Sequence, residues 1–241
     1  MLLRNVDRNL WVAEQPLRYF GLGIGTRMTV IQLASNELVV ISPIQVSEVL
    51  VSELNGLGIV SHIIAPNLYH HLYAAEFKAA YPAATFWAPA RLRVKRPELN
   101  IDQLIVADAG SPWPGLEYLF FDGFKTLGPS GPAALDEWVF FHTDSRTLIL
   151  TDTAFCFDEN FPWLTQLLTK LGGGYKSLSP SLLERVATTQ KDLVKASVEQ
   201  VLRWNFDRVI VAHGSVVEHS GKEQFKRGYE TFLGCSLACP T

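Results

Sequence analysis

The chain has 241 residues, of which 48% are hydrophobic and 19% are charged, and its formal net charge is -3. This balance is typical of a soluble globular protein and offers no basic surplus for binding nucleic acid. No apolar run approaches the roughly 20 residues that span a bilayer. The N-terminal segment carries Arg4, Asp7 and Arg8 where a signal peptide needs an unbroken apolar stretch. We therefore expect one cytoplasmic domain over residues 1–241, with no membrane or nucleic-acid partner.

The first half of the chain alternates strand and helix patterns. Predicted strands cover residues 10–14, 28–34, 37–42, 59–64 and about 84–90, and predicted helices cover residues 45–57 and about 72–81. Pro82 ends the second of these helices. Such alternation is typical of a sheet with helices packed on it.

The second half begins with antiparallel strand patterns. These cover residues 116–123 and a hairpin over 137–152 that turns at 143–146, followed by a strand over 207–214. A long helix is predicted over about 180–204 and a closing helix over 222–232. Two halves that each combine a sheet with helices indicate two sheets face to face, with helices outside.

Polar side chains follow three of the predicted apolar strands. His70 and His71 come after "VSHIIAPNLY", Asp152 after "RTLILT", and His213 after "DRVIVA". Because ligands in such proteins bind beyond strand ends, these residues form a candidate set for a divalent metal. The alternative is structural: a lone Asp at a strand end is usually a cap or turn former, and a buried His usually bonds to the backbone.

The order of elements, with the segments "IIAPNLYHHL", "TLILTDTAF" and "VIVAHG", resembles the metallo-β-lactamase superfamily over about residues 8–233. The resemblance implies a four-layer αββα sandwich (class α/β, or α+β in some schemes) with a metal site at one edge. The superfamily motif HxHxDH places Pro66 and Leu68 where the first two histidines stand, His70 at the Asp, and His71 at the last His. The middle histidine of the family's "GHT" loop has no counterpart. The pattern is closest to a branch with "PNxxHH" and "FFHxxSRTLIxTD" segments.

The resemblance implies that one of the two family metal sites is lost and the other is retained. The second metal of the family takes ligands at the positions of His70, His71, Asp152 and His213, and all four hold competent groups here. Zinc is the first expectation for this single ion, and iron or manganese are the alternatives. Replacing the family's Asp by His70 removes one negative ligand, which strengthens the ion as a Lewis acid.

Two classes of function follow from this site. The first is a mononuclear hydrolase that activates water toward an ester, thioester or phosphoester, with Asp152 as ligand or general base. However, four protein ligands on zinc make a closed tetrahedron, as in structural sites. The second class is therefore a catalytically silent module, with a structural metal or none, that serves in binding or scaffolding. The sequence does not identify the substrate and is compatible with a homo-oligomer.

Several further residues have less specific predictions. Phe157, Phe161 and Trp163 follow Asp152 and are candidates for the substrate-binding mouth, or else pack an added helix. The basic run at residues 91–96 suits an anionic ligand or a solvated face.

The other histidines and the cysteines are assigned structural roles. His142 is expected at the end of the hairpin opposite to Asp152, since five or six strand residues separate the two ends. His62 is expected in the core and His219 in solvent. Cys156, Cys235 and Cys239 are an odd number, which argues against a disulfide scaffold; the Cys235–Cys239 spacing suits a metal only with further ligands, so free thiols are expected.

Overall fold

The computed structural model describes residues 2–107, 110–128 and 131–238. The strands in these ranges are β1 (Arg4–Asp7), β2 (Leu10–Gln15), β3 (Arg18–Tyr19), β4 (Leu22–Gly23), β5 (Thr26–Gln32), β6 (Glu37–Ile41), β7 (Ile59–Ile64), β8 (Thr85–Ala88), β9 (Gln103–Leu104), β10 (Leu116–Phe121), β11 (Lys125–Gly128), β12 (Gly131–Ala134), β13 (Glu137–His142), β14 (Thr147–Ile149) and β15 (Arg208–Ile210). The helices are α1 (Glu48–Leu57), α2 (Ala74–Ala80), α3 (Ala90–Lys95), α4 (Trp163–Gly172), α5 (Leu182–Ala187), α6 (Lys191–Val201) and α7 (Gly221–Leu233). None of the helices within the described ranges is long and apolar enough to cross a membrane.

Two sheets carry the architecture. The first has seven strands in the order β1-β2-β5-β6-β7-β8-β9, antiparallel from β1 to β6 and parallel from β6 to β9. The second has the order β10-β13-β14-β15, in which only the β14–β15 pair is parallel. Two small hairpins, β3–β4 and β11–β12, stand outside these sheets.

Three apolar clusters define four layers. Side chains of both sheets, including Ile64, Phe140 and Ile210, pack together in the middle. A second cluster packs α1 and α2 on the outer face of the first sheet, and a third packs α6 and α7 on the second sheet. Each sheet is therefore covered on both faces, which explains why β5, β6 and β13 are almost continuously buried. This is the expected αββα sandwich.

The strands of both sheets that precede the candidate ligands end at one edge of the sandwich. Because β14 and β15 are parallel, the loops that follow them leave at the same edge, and antiparallel β13 begins there. In the other sheet β6 and β7 end together, and antiparallel β5 begins beside them. Hydrogen bonds join the two edges, since the Asn67 amide donates to Asp152 at 2.8 Å and the His213 ring bonds to the Gly25 carbonyl at 2.6 Å.

Most predicted elements lie within a few residues of the observed ones, but the long helix predicted over about 180–204 is two helices, α5 and α6. The chain leaves the helix at Thr188, whose hydroxyl bonds to the Lys125 backbone: it accepts the N–H at 3.0 Å and donates to the carbonyl at 3.1 Å. This contact with β11 draws Thr188 out of the helical path, so α5 ends there. The short helix α3, the strands β1 and β9 and the two small hairpins were not predicted, whereas α4 is the added helix that the sequence offered as the alternative for the segment containing Phe161 and Trp163.

Candidate metal centre

Three loops bring His70, Asp152 and His213 together. His70 follows β7, Asp152 follows β14, and His213 follows β15. One potential ligand atom from each residue lies within 4.8 Å of those from the other two, although the residues are separated by 82 and 61 positions in the chain. These three belong to the predicted ligand set, and the structure places them at the edge where the two sheets meet.

Both imidazoles point the same nitrogen at the same oxygen. His70 Nε2 and His213 Nε2 each lie 3.3 Å from Asp152 Oδ1, and the two ring centroids are 5.1 Å apart. His213 Nδ1 donates to the Gly25 carbonyl at 2.6 Å, because a carbonyl can only accept. In the neutral ring Nε2 is therefore a bare acceptor that faces a carboxylate oxygen, also an acceptor.

A divalent cation between these two acceptors would satisfy both, and a second proton on the His213 ring is the alternative. The outer nitrogens are held as metal-ligating histidines usually are: His213 Nδ1 by a carbonyl, and His70 Nδ1 by the Ser42 hydroxyl at 2.6 Å. Two imidazoles and one carboxylate suit zinc, iron or manganese and leave positions open on the ion. The residues present therefore fit such a group.

The electrostatic setting keeps the carboxylate ionised. Burial alone raises the pKa of Asp152, but the charge of His70 and hydrogen bonds with His213 and His70 outweigh burial, so its pKa lies well below the ordinary value. Burial lowers the pKa of His70, but the Asp152 charge and hydrogen bond raise it above its usual range. An ionised carboxylate is the form that binds a metal.

Asn67 and Glu137, which sequence reasoning missed, hold the Asp152 loop. The fully buried Asn67 places its Nδ2 2.8 Å from Asp152 Oδ2 and 3.1 Å from Glu137 Oε2, while its Oδ1 accepts the His70 backbone N–H at 2.8 Å. Burial and the Asp152 charge raise the pKa of Glu137, against the hydrogen bonds that its carboxylate accepts. Two sequence features could have indicated these residues. Glu137 is an acid at the start of the otherwise apolar strand "EWVFF", and Asn67 follows a proline at the end of a strand.

The Glu137 carboxylate satisfies the donors of three successive residues. It accepts the backbone N–H groups of Thr151 and Asp152 and the hydroxyl of Thr153, each at 2.8 Å. From the other side Tyr229 of α7 donates its hydroxyl to the Thr153 carbonyl at 2.6 Å. The loop that carries Asp152 is thus fixed from both sides before any ligand is considered.

Ser42 stands at the end of β6 in a strained conformation. Its φ of +57° lies in the left-handed region, which costs a residue with a side chain about 1 kcal/mol or more. The strain is held by its backbone N–H, which donates to Ile64 at 2.9 Å, and it directs the hydroxyl at His70 Nδ1. Backbone strain next to a candidate ligand in this way is typical of functional sites.

The His213 loop is held by a buried arginine and a close glycine. Arg27 on β5 is 5% exposed and donates to the carbonyls of Val211 and Gly214, the latter at 2.6 Å, while its Nε donates to Glu14 at 2.9 Å. Gly214 has φ +111°, and a Cβ there would overlap the Cys156 carbonyl. The "HG" pair therefore combines a candidate ligand with the glycine that its loop requires.

His71, the fourth predicted ligand, is not placed with the other three. Its Nδ1 lies 3.4 Å from Arg96 Nη1, and its backbone N–H donates to Tyr69. Burial, with the charges of Arg96 and Lys95, lowers the pKa of His71 to about 4. Because adjacent side chains diverge, the turn after β7 directs one histidine to the sheet edge and the other to the basic α3 segment. The predicted closed four-ligand site is thereby reduced to three candidates.

His70, Asp152 and His213 lie in the wall of a cleft of about 290 Å³, which Phe155 also lines. Of the aromatic residues predicted at its mouth, Phe157 is buried against Phe155, with ring centroids 6.2 Å apart. Phe161 borders a neighbouring cavity of about 540 Å³ beside Arg27, and Trp163 is an exposed residue at the start of α4. None of the three predicted residues lines the cleft itself, whereas Phe155, with its ring centroid 6.3 Å from that of His213, does.

The basic run at 91–96 lies outside this cleft. Arg91 pairs with Asp136 at 2.8 Å, and Lys95 donates to the Leu68 carbonyl at 2.7 Å while lying 4.0 Å from the centroid of the Tyr69 ring. These contacts dock α3 against the loop after β7. They support a structural role for the run.

The remaining histidines lie away from the candidate centre. His142 is at the end of β13 opposite to Glu137 and bonds to Ser145 at 2.7 Å. His62 in β7 accepts a hydrogen bond from Trp87 at 3.2 Å, and the exposed His219 pairs with Asp207.

Two of the three cysteines are described. Cys156 is buried and Cys235 is exposed, and both are free thiols. Cys239 lies outside the described residues.

Comparison with known sequences gives one family. A family model described as "Domain of unknown function (DUF4336)" matches residues 7–173, more than half of the chain. No match was found among curated proteins.

Comparison with solved structures identifies the fold. FIM-1 from Pseudomonas aeruginosa, a metallo-β-lactamase solved in its mono-zinc form, has a TM-score of 0.66 at 10% identity over 96% of this chain and 94% of its own. Metallo-β-lactamases from Hirschia baltica and Pontibacter korlensis each give 0.64, at 13% and 10% identity, over 96% of this chain and 96% and 98% of theirs. The chain therefore has the metallo-β-lactamase fold, which confirms the predicted fold class and resemblance. Likeness at these identities concerns the fold alone.

Proposed function

This chain belongs to the DUF4336 family, and from its candidate centre we propose that it is a metal-dependent, hydrolase-like protein with one divalent ion held by His70, Asp152 and His213. The observation that carries the proposal is the convergence of two Nε2 atoms on one carboxylate oxygen, each at 3.3 Å. The mono-zinc form of FIM-1, a protein of the same fold, supports a single zinc, with iron or manganese as alternatives.

Three ligands, rather than the four predicted, favour catalysis over a purely structural metal. Structural zinc sites are closed by four protein ligands, whereas catalytic sites keep a position for water or substrate. A bound divalent ion would supply Lewis-acid chemistry, polarising a carbonyl or phosphoryl oxygen and making water a nucleophile near neutral pH. The proposed reaction is hydrolysis of an ester, thioester or phosphoester.

The residues of the chain would act by orientation. Ser42 and Gly25 fix which ring nitrogens face the cleft, and Asn67 holds Asp152 Oδ2 so that Oδ1 is directed at both imidazoles. Asp152 is the proposed catalytic residue. Its lowered pKa suits a ligand that stays ionised better than a base that takes up a proton.

A second candidate function is a catalytically silent binding module. The observation that favours it is that the same three side chains can satisfy one another without an ion if the His213 ring carries a second proton, since a neutral His70 can accept from Ser42 and donate to Asp152. In that case the cleft binds a ligand and does not transform it.

Metal analysis of protein purified without chelators separates the two candidates. We expect about one equivalent of zinc, iron or manganese in the unchanged chain and almost none in His213→Ala and Asp152→Asn. Ester, thioester and phosphodiester panels, run with and without added metal, then test hydrolysis. Absence of metal under every loading condition would favour the silent module, and metal without turnover would favour a structural role.

A further inference from the structure

The walls of the cleft are apolar where they leave the three candidate ligands. Leu17, Ile24, Pro43, Leu72, Leu135 and Phe155 line it. Its volume of about 290 Å³ is at the lower end of small-molecule sites, which hold about 300–1,000 Å³. A short apolar group therefore fits inside, and anything longer must continue outside.

Apart from the proposed ion, the charged side chains that line the cleft do not favour a phosphate. Among the described residues that line it, Arg18 alone carries a fixed positive charge, and its side chain is exposed. Sites that select phosphate usually provide several guanidinium or ammonium donors. The two carboxyl groups of the lining, Asp152 and Glu184, oppose an anion or remain uncharged, since burial raises the pKa of Glu184.

Exposed apolar side chains continue from the cleft onto the surface. Phe20 and Leu72 are 71% and 63% exposed, and α4 and α5 expose further apolar residues: Trp163, Leu167, Leu171, Leu183 and Val186. The surfaces are connected, because Thr165 of α4 donates to the Gly23 carbonyl of the β3–β4 hairpin at 3.0 Å and Glu184 of α5 lines the cleft. Apolar surface of this extent at a pocket mouth marks a binding site.

We infer that the substrates are esters or thioesters of apolar acids, whose acyl group fills the cleft and continues over α4 and α5, and not phosphoesters. This inference rests on the proposed function and narrows its three substrate classes. In the reaction, the oxygen of water bonds to the acyl carbon and the C–O or C–S bond breaks. The leaving alcohol or thiol takes up one proton, and the acid product releases one.

Binding of unreactive neutral amides tests the inference without turnover. In calorimetric titrations of the zinc-loaded full chain, affinity should rise about fourfold per methylene from butanamide to hexanamide. n-Pentyl phosphate, which carries the same alkyl group as hexanamide, should bind at least tenfold more weakly than hexanamide. Affinity that does not change with chain length, or tighter binding of the phosphate, overturns the inference.

A pair of surface variants locates the ligand. Leu72→Asp places a charge on the cleft wall and should weaken hexanamide binding at least tenfold, whereas Val94→Asp, on the exposed surface of α3 and outside the lining, should leave it unchanged. Equal affinities of the two variants contradict the assigned site. Both positions are exposed, so circular dichroism should show folded protein in each case.

Hydrolysis assays keep the inference separate from the proposed function. If bis(p-nitrophenyl) phosphate is hydrolysed and the amides do not bind, the inferred substrate class is wrong but the proposed hydrolase function stands. If amide affinity rises with chain length but p-nitrophenyl butanoate and octanoate are not hydrolysed, the cleft binds an apolar ligand and the proposed hydrolase function is wrong.

Discussion

Glu137 Oε2 accepts the backbone N–H of Asp152 at 2.8 Å, so a fully buried carboxylate outside the cleft fixes the carboxylate that faces it. The two residues come from adjacent antiparallel strands, at the end where β13 begins and β14 has ended. Metal sites depend on such outer contacts nearly as much as on the ligands themselves. The contact therefore yields the first prediction.

Glu137→Gln should weaken both the fold and the metal site. In the unchanged chain the carboxylate accepts hydrogen bonds from backbone N–H groups on both of its oxygens. The glutamine amide would turn an NH₂ group toward one of these donors, leaving at least one buried donor unsatisfied. We expect the free energy of unfolding to fall by about 2 kcal/mol in urea titrations of chelator-treated protein. Zinc affinity should fall about 10- to 100-fold. Glu76→Gln, on the exposed surface of α2, is the matched control.

The adjacent histidines should differ in metal binding. His70→Ala should lose bound zinc almost completely, because His70 Nε2 faces the Asp152 oxygen. His71→Ala should retain about one equivalent, because its Nδ1 faces Arg96. Elemental analysis of both variants, prepared identically, makes the comparison. Loss of zinc from His71→Ala, with its fold intact by circular dichroism, would restore the fourth ligand.

Arg27→Met should loosen the His213 loop. The substitution removes the donors that the buried carbonyls of Val211 and Gly214 now share. Unsatisfied buried carbonyls cost about 1–3 kcal/mol each, so the loss of two partners should lower the free energy of unfolding by about 2–6 kcal/mol. The urea midpoint measures this, with Arg185→Met on the exposed surface of α5 as the control. A zinc affinity unchanged in Arg27→Met would show that the clamp does not position His213.

Stability should decrease in mild acid partly through His142. Burial lowers the pKa of His142, although the charges of Asp144 and Asp7 partly oppose burial. As pH falls below about 6.5 the unfolded chain binds a proton there that the folded chain resists, so the contribution to stability is lost as pH falls. In His142→Asn, the drop in unfolding free energy between pH 7.5 and 5.5 should be smaller than in the unchanged chain. An equal decrease in the two proteins would show that His142 does not contribute to the loss of stability in acid.

Hydrophobic patterns in the sequence predicted most of the elements and the two-sheet architecture, and the resemblance to the metallo-β-lactamase superfamily added the edge at which His70, Asp152 and His213 meet. Hydrophobic periodicity is a local property, and the ends of parallel strands share an edge wherever they pair. These features needed no knowledge of distant contacts. The apolar strands in the middle of each sheet were predicted for the same reason.

Tertiary structure alone decided which neighbouring residues enter the site. The turn after β7 separates His70 from His71, and Phe155 rather than Phe157 lines the cleft. Asn67 and Glu137 act through partners that are distant in the chain, and α5 ends where Thr188 bonds to Lys125. Side-chain direction in irregular loops depends on contacts across the sandwich, and a one-dimensional pattern does not contain those contacts.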